Sequence, residues 1–108
     1  MPKEYVIRNF FTGWVPTSES ILVKANQGER IVLKAIHVRN HDLVNDLSMS
    51  LRVRRAGNYM RLGGSLILPE HTWIIDEAIT LEAGDYLAAF AGVANMASMK
   101  ISGISGDT

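Results

Sequence analysis

The stretch Leu47-Ser48-Met49-Ser50-Leu51-Arg52-Val53-Arg54 decides the fold class. Leu47, Met49, Leu51 and Val53 alternate with Ser48, Ser50, Arg52 and Arg54. A strand turns successive side chains to opposite faces, so this period of two makes one apolar and one polar row. The next residues, Arg55-Ala56-Gly57-Asn58, supply a flexible turn, and Tyr59 to Leu62 can return as the partner strand of a hairpin. That pairing makes Arg52 and Arg54 neighbours of Arg61.

Outward from this hairpin the same grammar repeats. Upstream, Ile21 to Ala25 is a short strand candidate, and Asn26-Gln27-Gly28-Glu29 is a turn leading into Arg30 to Asn40. That long run is rich in β-branched residues but alternates imperfectly, as a bulge or burial on both faces would explain. Downstream, strands are predicted at Ser65 to Leu68, Thr72 to Asp76 and Ala78 to Leu81. Glu82-Ala83-Gly84-Asp85 reads as a tight turn, followed by strands at Tyr86 to Ala91 and Met96 to Ile104. A helix over Leu87 to Met99 is the main rival, but Gly92, Val93 and Asn95 interrupt its alanines and methionines. The expectation is an all-β chain: one antiparallel β-sandwich or jelly roll of about eight strands.

The first twenty residues differ in kind. Tyr5, Phe10, Phe11 and Trp14 are four of the eight aromatics in the chain, set among the loop formers Asn9, Thr12, Gly13, Pro16, Thr17 and Ser18. Aromatics on such a segment need something to pack against, and two readings are open. One is a strand and loop covering the domain's own core; the other is an arm, residues 1–20, that docks on a neighbouring subunit ahead of a sandwich at 21–108.

Composition narrows the function classes. The 108 residues are 47% apolar and 20% charged, within the ordinary globular range. Eleven Lys and Arg balance eleven Asp and Glu, which leaves no whole-molecule field to attract nucleic acid or an anionic membrane. The absence of cysteine removes disulfide scaffolds, thiolate metal sites and cysteine nucleophiles together. No apolar run approaches a bilayer-spanning length, and Met1-Pro2-Lys3-Glu4-Tyr5 lacks a signal-peptide core, so synthesis in the cytoplasm is expected.

Net neutrality hides an asymmetry. Residues 1–61 hold ten of the eleven bases against five acids, formally +5, whereas residues 62–108 hold only Lys100 against six acids, formally −5. These portions either interleave as adjacent strands of one sandwich or meet across a head-to-tail subunit contact. Arg52, Arg54, Arg55 and Arg61, with Tyr59 among them, form the one basic patch with an interleaved aromatic. It is read either as a solvated strand face paired with acids or as a surface for an acidic partner.

Catalytic signatures are missing. His37 and His41 have the four-residue spacing that aligns ligands on a helix, but on an extended strand they stand roughly 13 Å apart, and His71 brings no acidic motif with it. There is no nucleophile elbow around Gly63-Gly64-Ser65, no phosphate loop and no dinucleotide fingerprint. Asp76 with Glu77, and Glu82 with Asp85, are ordinary turn residues rather than a glycosidase pair. No enzyme activity, metal or cofactor is expected.

Several runs resemble small virion proteins of tailed bacteriophages. Gly28-Glu29-Arg30-Ile31-Val32-Leu33-Lys34-Ala35-Ile36-His37-Val38-Arg39-Asn40 is similar to their opening glycine and long strand ending in Asn. Ile79-Thr80-Leu81-Glu82-Ala83-Gly84-Asp85-Tyr86-Leu87, then Ala94-Asn95, then Lys100-Ile101-Ser102-Gly103-Ile104, resembles their strand, Leu-x-Ala-Gly-Asp turn and closing strand. The resemblance covers residues 21–104 and departs from the family in the leading segment. It implies a noncatalytic structural part of the virion, foremost a capsid decoration (cement) protein, commonly a homotrimer, bound to the major capsid protein or another virion protein. A tail, baseplate or fibre component is the related placement. A second class is a carbohydrate-binding module stacking sugar on Tyr59 and Trp73 beside the arginines. The residues expected at a partner interface are Tyr5, Phe10, Phe11, Trp14, Arg52, Arg54, Arg55 and Arg61.

Overall fold

The computed structural model describes residues 5–55 and 58–107, and side chains throughout these except at 58–66 and 107. The described residues form nine strands and no helix: β1 (Tyr5–Trp14), β2 (Ser20–Lys24), β3 (Glu29–Asn40), β4 (Leu47–Arg55), β5 (Asn58–Ile67), β6 (Thr72–Ile75), β7 (Ile79–Leu81), β8 (Tyr86–Ala91) and β9 (Ala97–Asp107). They make two antiparallel sheets. One has the order β1-β9-β3-β6, with β7 also on β3, and the other has the order β2-β8-β4-β5. The expected β-sandwich is therefore the fold.

The alternation of β4 is seated as read: Leu47, Met49, Leu51 and Val53 are buried against the facing sheet. They meet Leu87, Ala89 and Ala91 of β8 beside them, and Ile31, Leu33, Ile36, Val38, Met99 and Ile101 complete one continuous core. No buried side-chain polar atom among the described residues lacks a hydrogen-bond partner.

Residues 5–14 form the ten-residue edge strand β1, paired with β9 from Tyr5↔Gly106 to Trp14↔Ser98, as in the first of the two readings of the leading segment. Two elements differ from the sequence reading. A strand was expected to end near Leu62 and another to begin at Ser65, but β5 runs unbroken through Gly63 and Gly64 against β4. The helical reading of 87–99 fails because Leu87 pairs with both Val53 and Val23, making β8 an inner strand.

The imperfect alternation of β3 has a local cause. Leu33 faces Gly103 and Ala35 faces Ser102, so Lys34 is an extra residue in a β-bulge. β1 carries its own bulge at Phe10, between Asn9↔Ser102 and Phe11↔Ile101. The two bulges flank β9 at the same height. There Gly103 is required, since a Cβ would run into the Val32 carbonyl oxygen.

The turns follow their chemistry. Gly84 has φ +89°, the left-handed value that the third position of a type II turn needs. The turn is closed by Asp85 N–H donating to the Glu82 carbonyl (2.8 Å) and Glu82 N–H donating to Asp85 Oδ2 (3.0 Å). Asn40, fully buried at the end of β3, donates from Nδ2 to the carbonyls of Asn45 and Ile67, each at 2.9 Å, and accepts from Asp42 N–H at 2.9 Å. One side chain thereby ties β3, the β3–β4 connection and the end of β5 together.

Candidate partner interface

The eight expected interface residues belong to two different sheets, the arginines to β4 and β5 and the aromatics to β1. On the outer face of the four-stranded sheet, Arg52 and Arg54 point outward from β4, and register sets the backbone of Arg61 opposite Arg52. Arg55 is exposed at the hairpin end. The side chains of Arg61 and Tyr59 lie outside the described residues. Arg52 is paired with Glu19 at 3.5 Å, both side chains well exposed, and Arg54 lies over the Tyr86 ring at 5.9 Å. An ion pair so exposed contributes little, on the order of 0–1 kcal/mol.

The four aromatics belong to the other sheet. Phe10 and Phe11 are half-buried against the core, and Arg8 caps the Phe10 ring at 5.0 Å. Tyr5 and Trp14 stand on the outer face at opposite ends of β1. Tyr5 reaches across β9 to Arg30 on β3. The Tyr5 hydroxyl, then the Glu82 carboxylate 2.9 Å away, hold the Arg30 guanidinium above its ordinary pKa.

Between these ends, register sets Ile7, Ile104 and Val32 side by side across β1, β9 and β3, all on the outer face. Ile7 is 86% exposed, and Tyr5 and Val6 beside it are also exposed. Among the described residues, β1 has a hydrogen-bonded neighbour on one side only. An apolar row thus runs out to the edge of the sheet.

At the far end of the same face lies a cavity of about 360 Å³ that the sequence reading did not find; Trp14, His37, Arg39, Thr72, Ser98 and Lys100 are among its walls. Alternation along His37-Val38-Arg39 and Ser98-Met99-Lys100 hinted that these side chains share faces. Their juxtaposition needs the pairing of β3 with β9, which no local pattern records. Trp73, by contrast, packs half-buried toward the core, so the sugar platform expected from Trp73 beside the arginines is not assembled.

The charge asymmetry resolves into interleaving. In the order β1-β9-β3-β6 each strand from the basic portion lies beside one from the acidic portion, and β2-β8-β4 continues the alternation. Arg30–Glu82 joins the two portions directly, while Arg8–Glu29 and Arg52–Glu19 lie within the basic one. Among the described residues, no three His, Asp or Glu side chains group as a metal site.

No family model matches the chain, and neither does any curated protein. Among solved structures it is similar to a pentameric capsid protein isolated from metagenomic phage sequences, with TM-score 0.47 and 16% identity over 89% of this chain and 59% of that one. A second crystal structure of such a protein, solved by iodide phasing, matches at the same score and identity over 60% of its length. The chain thus spans less than two thirds of the proteins it matches.

Proposed function

We propose that this chain is a noncatalytic structural subunit of a phage virion that assembles with copies of itself, as a capsid decoration protein seated on the major capsid protein. The observation that carries the assembly is the row Ile7–Ile104–Val32 running to the open edge of β1, with Ile7 86% exposed. Leaving such a row in water forgoes roughly 25 cal/mol for each Å² of apolar surface that a partner could cover. The edge also offers unpaired backbone groups along a ten-residue strand. The phage placement rests on the runs 28–40 and 79–104. The buried Asn40, the Gly84 turn and the Gly103 crossing now give those runs a structural reason.

In this reading the leading segment contributes β1 as the contact strand, with Tyr5 and Trp14 at its ends. The arginine face of the opposite sheet is left for the capsid. Three copies is the number the family resemblance implies.

The test is the solution mass by light scattering for the wild type and for Ile7→Lys. The wild type is expected at a multiple of 11.9 kDa. The variant, with a cation in the middle of the contact, is expected as a folded monomer. A wild-type monomer at all concentrations overturns the assembly.

A further inference from the structure

The cavity at the Trp14 end of β1 brings together residues from four strands, of which only Thr12, Gly13 and Trp14 belong to the contact strand β1. β3 and β9 pair His37↔Lys100 and Arg39↔Ser98, while β9 and β1 pair Ser98↔Trp14 and Lys100↔Thr12. All of these residues face outward, and Thr72 of β6 joins them opposite Arg39. Lys100 and Arg39 are diagonal neighbours across the ladder, within reach of long side chains. Neither takes part in any ion pair among the described residues. Two cations side by side on one face form a place for an anionic group.

The aromatic wall is held in place. Trp14 is 50% exposed, and its ring meets that of His41 nearly at right angles, 73° with centroids 5.3 Å apart. His41 is in turn held through Nε2 by the Ser98 hydroxyl at 2.6 Å. The contact orients the indole without stacking over it. Two of the four supporting strands, β9 and β3, have a hydrogen-bonded neighbour on each side, which fixes the backbone under Ser98, Lys100, His37 and Arg39.

We propose that this cavity binds an acidic saccharide, its carboxylate on Arg39 and Lys100 and its ring against Trp14. Thr12, Thr72 and the His37 ring supply hydrogen-bonding groups for sugar hydroxyls. The space, about 360 Å³, suits one or two sugar rings. An acidic peptide would satisfy the cations but brings no flat ring face for the indole. A nucleic acid strand needs a track of cations, whereas these converge on one cavity.

The site shares β1 with the proposed assembly but stands apart from the centre of its contact, Ile7. Trp14 lies seven residues along β1 from Ile7, roughly 23 Å. The experiment titrates the full-length protein with trigalacturonate, following tryptophan fluorescence and ¹H–¹⁵N shifts. Maltotriose, a hexaglutamate peptide and oligo-dT serve as comparisons. Saturable binding of the uronate, with maltotriose inert, is expected. Arg39→Gln and Lys100→Gln should each weaken it about tenfold, the scale of one lost charge-assisted contact. Trp14→Phe should abolish the fluorescence change while the shifts persist.

All three are surface substitutions, and an unchanged thermal melt establishes that each variant is folded. No uronate binding, equal binding of maltotriose, tighter binding of the peptide or the oligonucleotide, or variants that bind like wild type would each overturn the proposal. Light scattering on the same samples reads the assembly separately, so failure of one reading is distinguishable from failure of the other.

Discussion

Gly103 of β9 passes so close to Val32 of β3 that a Cβ at position 103 would run into the Val32 carbonyl oxygen and press on Leu33 Cα at 3.0 Å. The approach arises where Lys34 bulges out of β3 and shifts the register by one residue. The pairing that brings His37 to Lys100 lies beyond that shift.

Gly103→Ala should cost about 1–3 kcal/mol, the range for overpacking that moves backbone. Gly92→Ala is the control: its Cβ would meet Ser48 Cβ at 3.5 Å, an ordinary contact, so it should stay near wild type. Urea denaturation of both variants reads the difference. Equal midpoints would mean that β3 and β9 can separate freely at the bulge.

Asn40→Ala should be more damaging than its size suggests. It strips the Ile67 carbonyl of its donor in a buried hydrogen bond, and the part-buried Asn45 carbonyl and Asp42 N–H of their partners. Each buried group left unpaired costs about 1–3 kcal/mol, so a loss near the top of that range is expected in chemical denaturation. In Asn40→Asp a carboxylate would face two carbonyl oxygens. Its stability should rise as the pH falls and the new acid protonates, opposite in sign to the trend expected at Asp42.

Gly84→Ala should destabilise by about 1–2 kcal/mol, the strain of a left-handed residue carrying a Cβ. No atom lies within 4 Å of the added group, so the effect is backbone strain alone. Gly84→Asn, which tolerates that conformation better, should recover part of it. Thermal melts of the two variants test this, and identical melts would remove the conformational argument.

Asp42 organises the β3–β4 connection. Its carboxylate accepts from Asn45 N–H at 3.0 Å and Val44 N–H at 2.9 Å, and those bonds, Asn45 first, hold its pKa below the ordinary aspartate value. A depressed pKa means that the stabilisation is present above the unfolded-state value and is lost as the pH falls through the folded-state value. The Val44 and Asn45 amide resonances should therefore titrate together with a midpoint below that of a free aspartate. A midpoint at or above it would break the assignment.

Much of the fold was legible locally. The alternation of Leu47 to Arg54, the turn at Glu82 to Asp85 and the β-branched run ending in Asn40 all express geometry within a few residues. β1 was harder to read, because Asn9, Thr12 and Gly13 are loop formers on local preference. They sit in a strand because β9 supplies hydrogen-bond partners from Tyr5 to Trp14. Gly63 and Gly64 misled in the same way, since β4 carries the ladder straight past them. Within the candidate interface, β4 alone grouped its arginines correctly, by spacing.

By itself the sequence determined most of the strands between residues 21 and 104, the inward and outward rows of β4 and the turn at Gly84, because period-two alternation and backbone preference act between near neighbours. Only the tertiary structure decided which strands lie side by side. Pairing Trp14 with Ser98, Ser98 with Arg39 and His37 with Lys100 joins residues up to 84 positions apart in the chain. Such contacts are selected by burying one shared core, with a register that two bulges shift by single residues. The cations and the indole that meet on the outer face follow from that register.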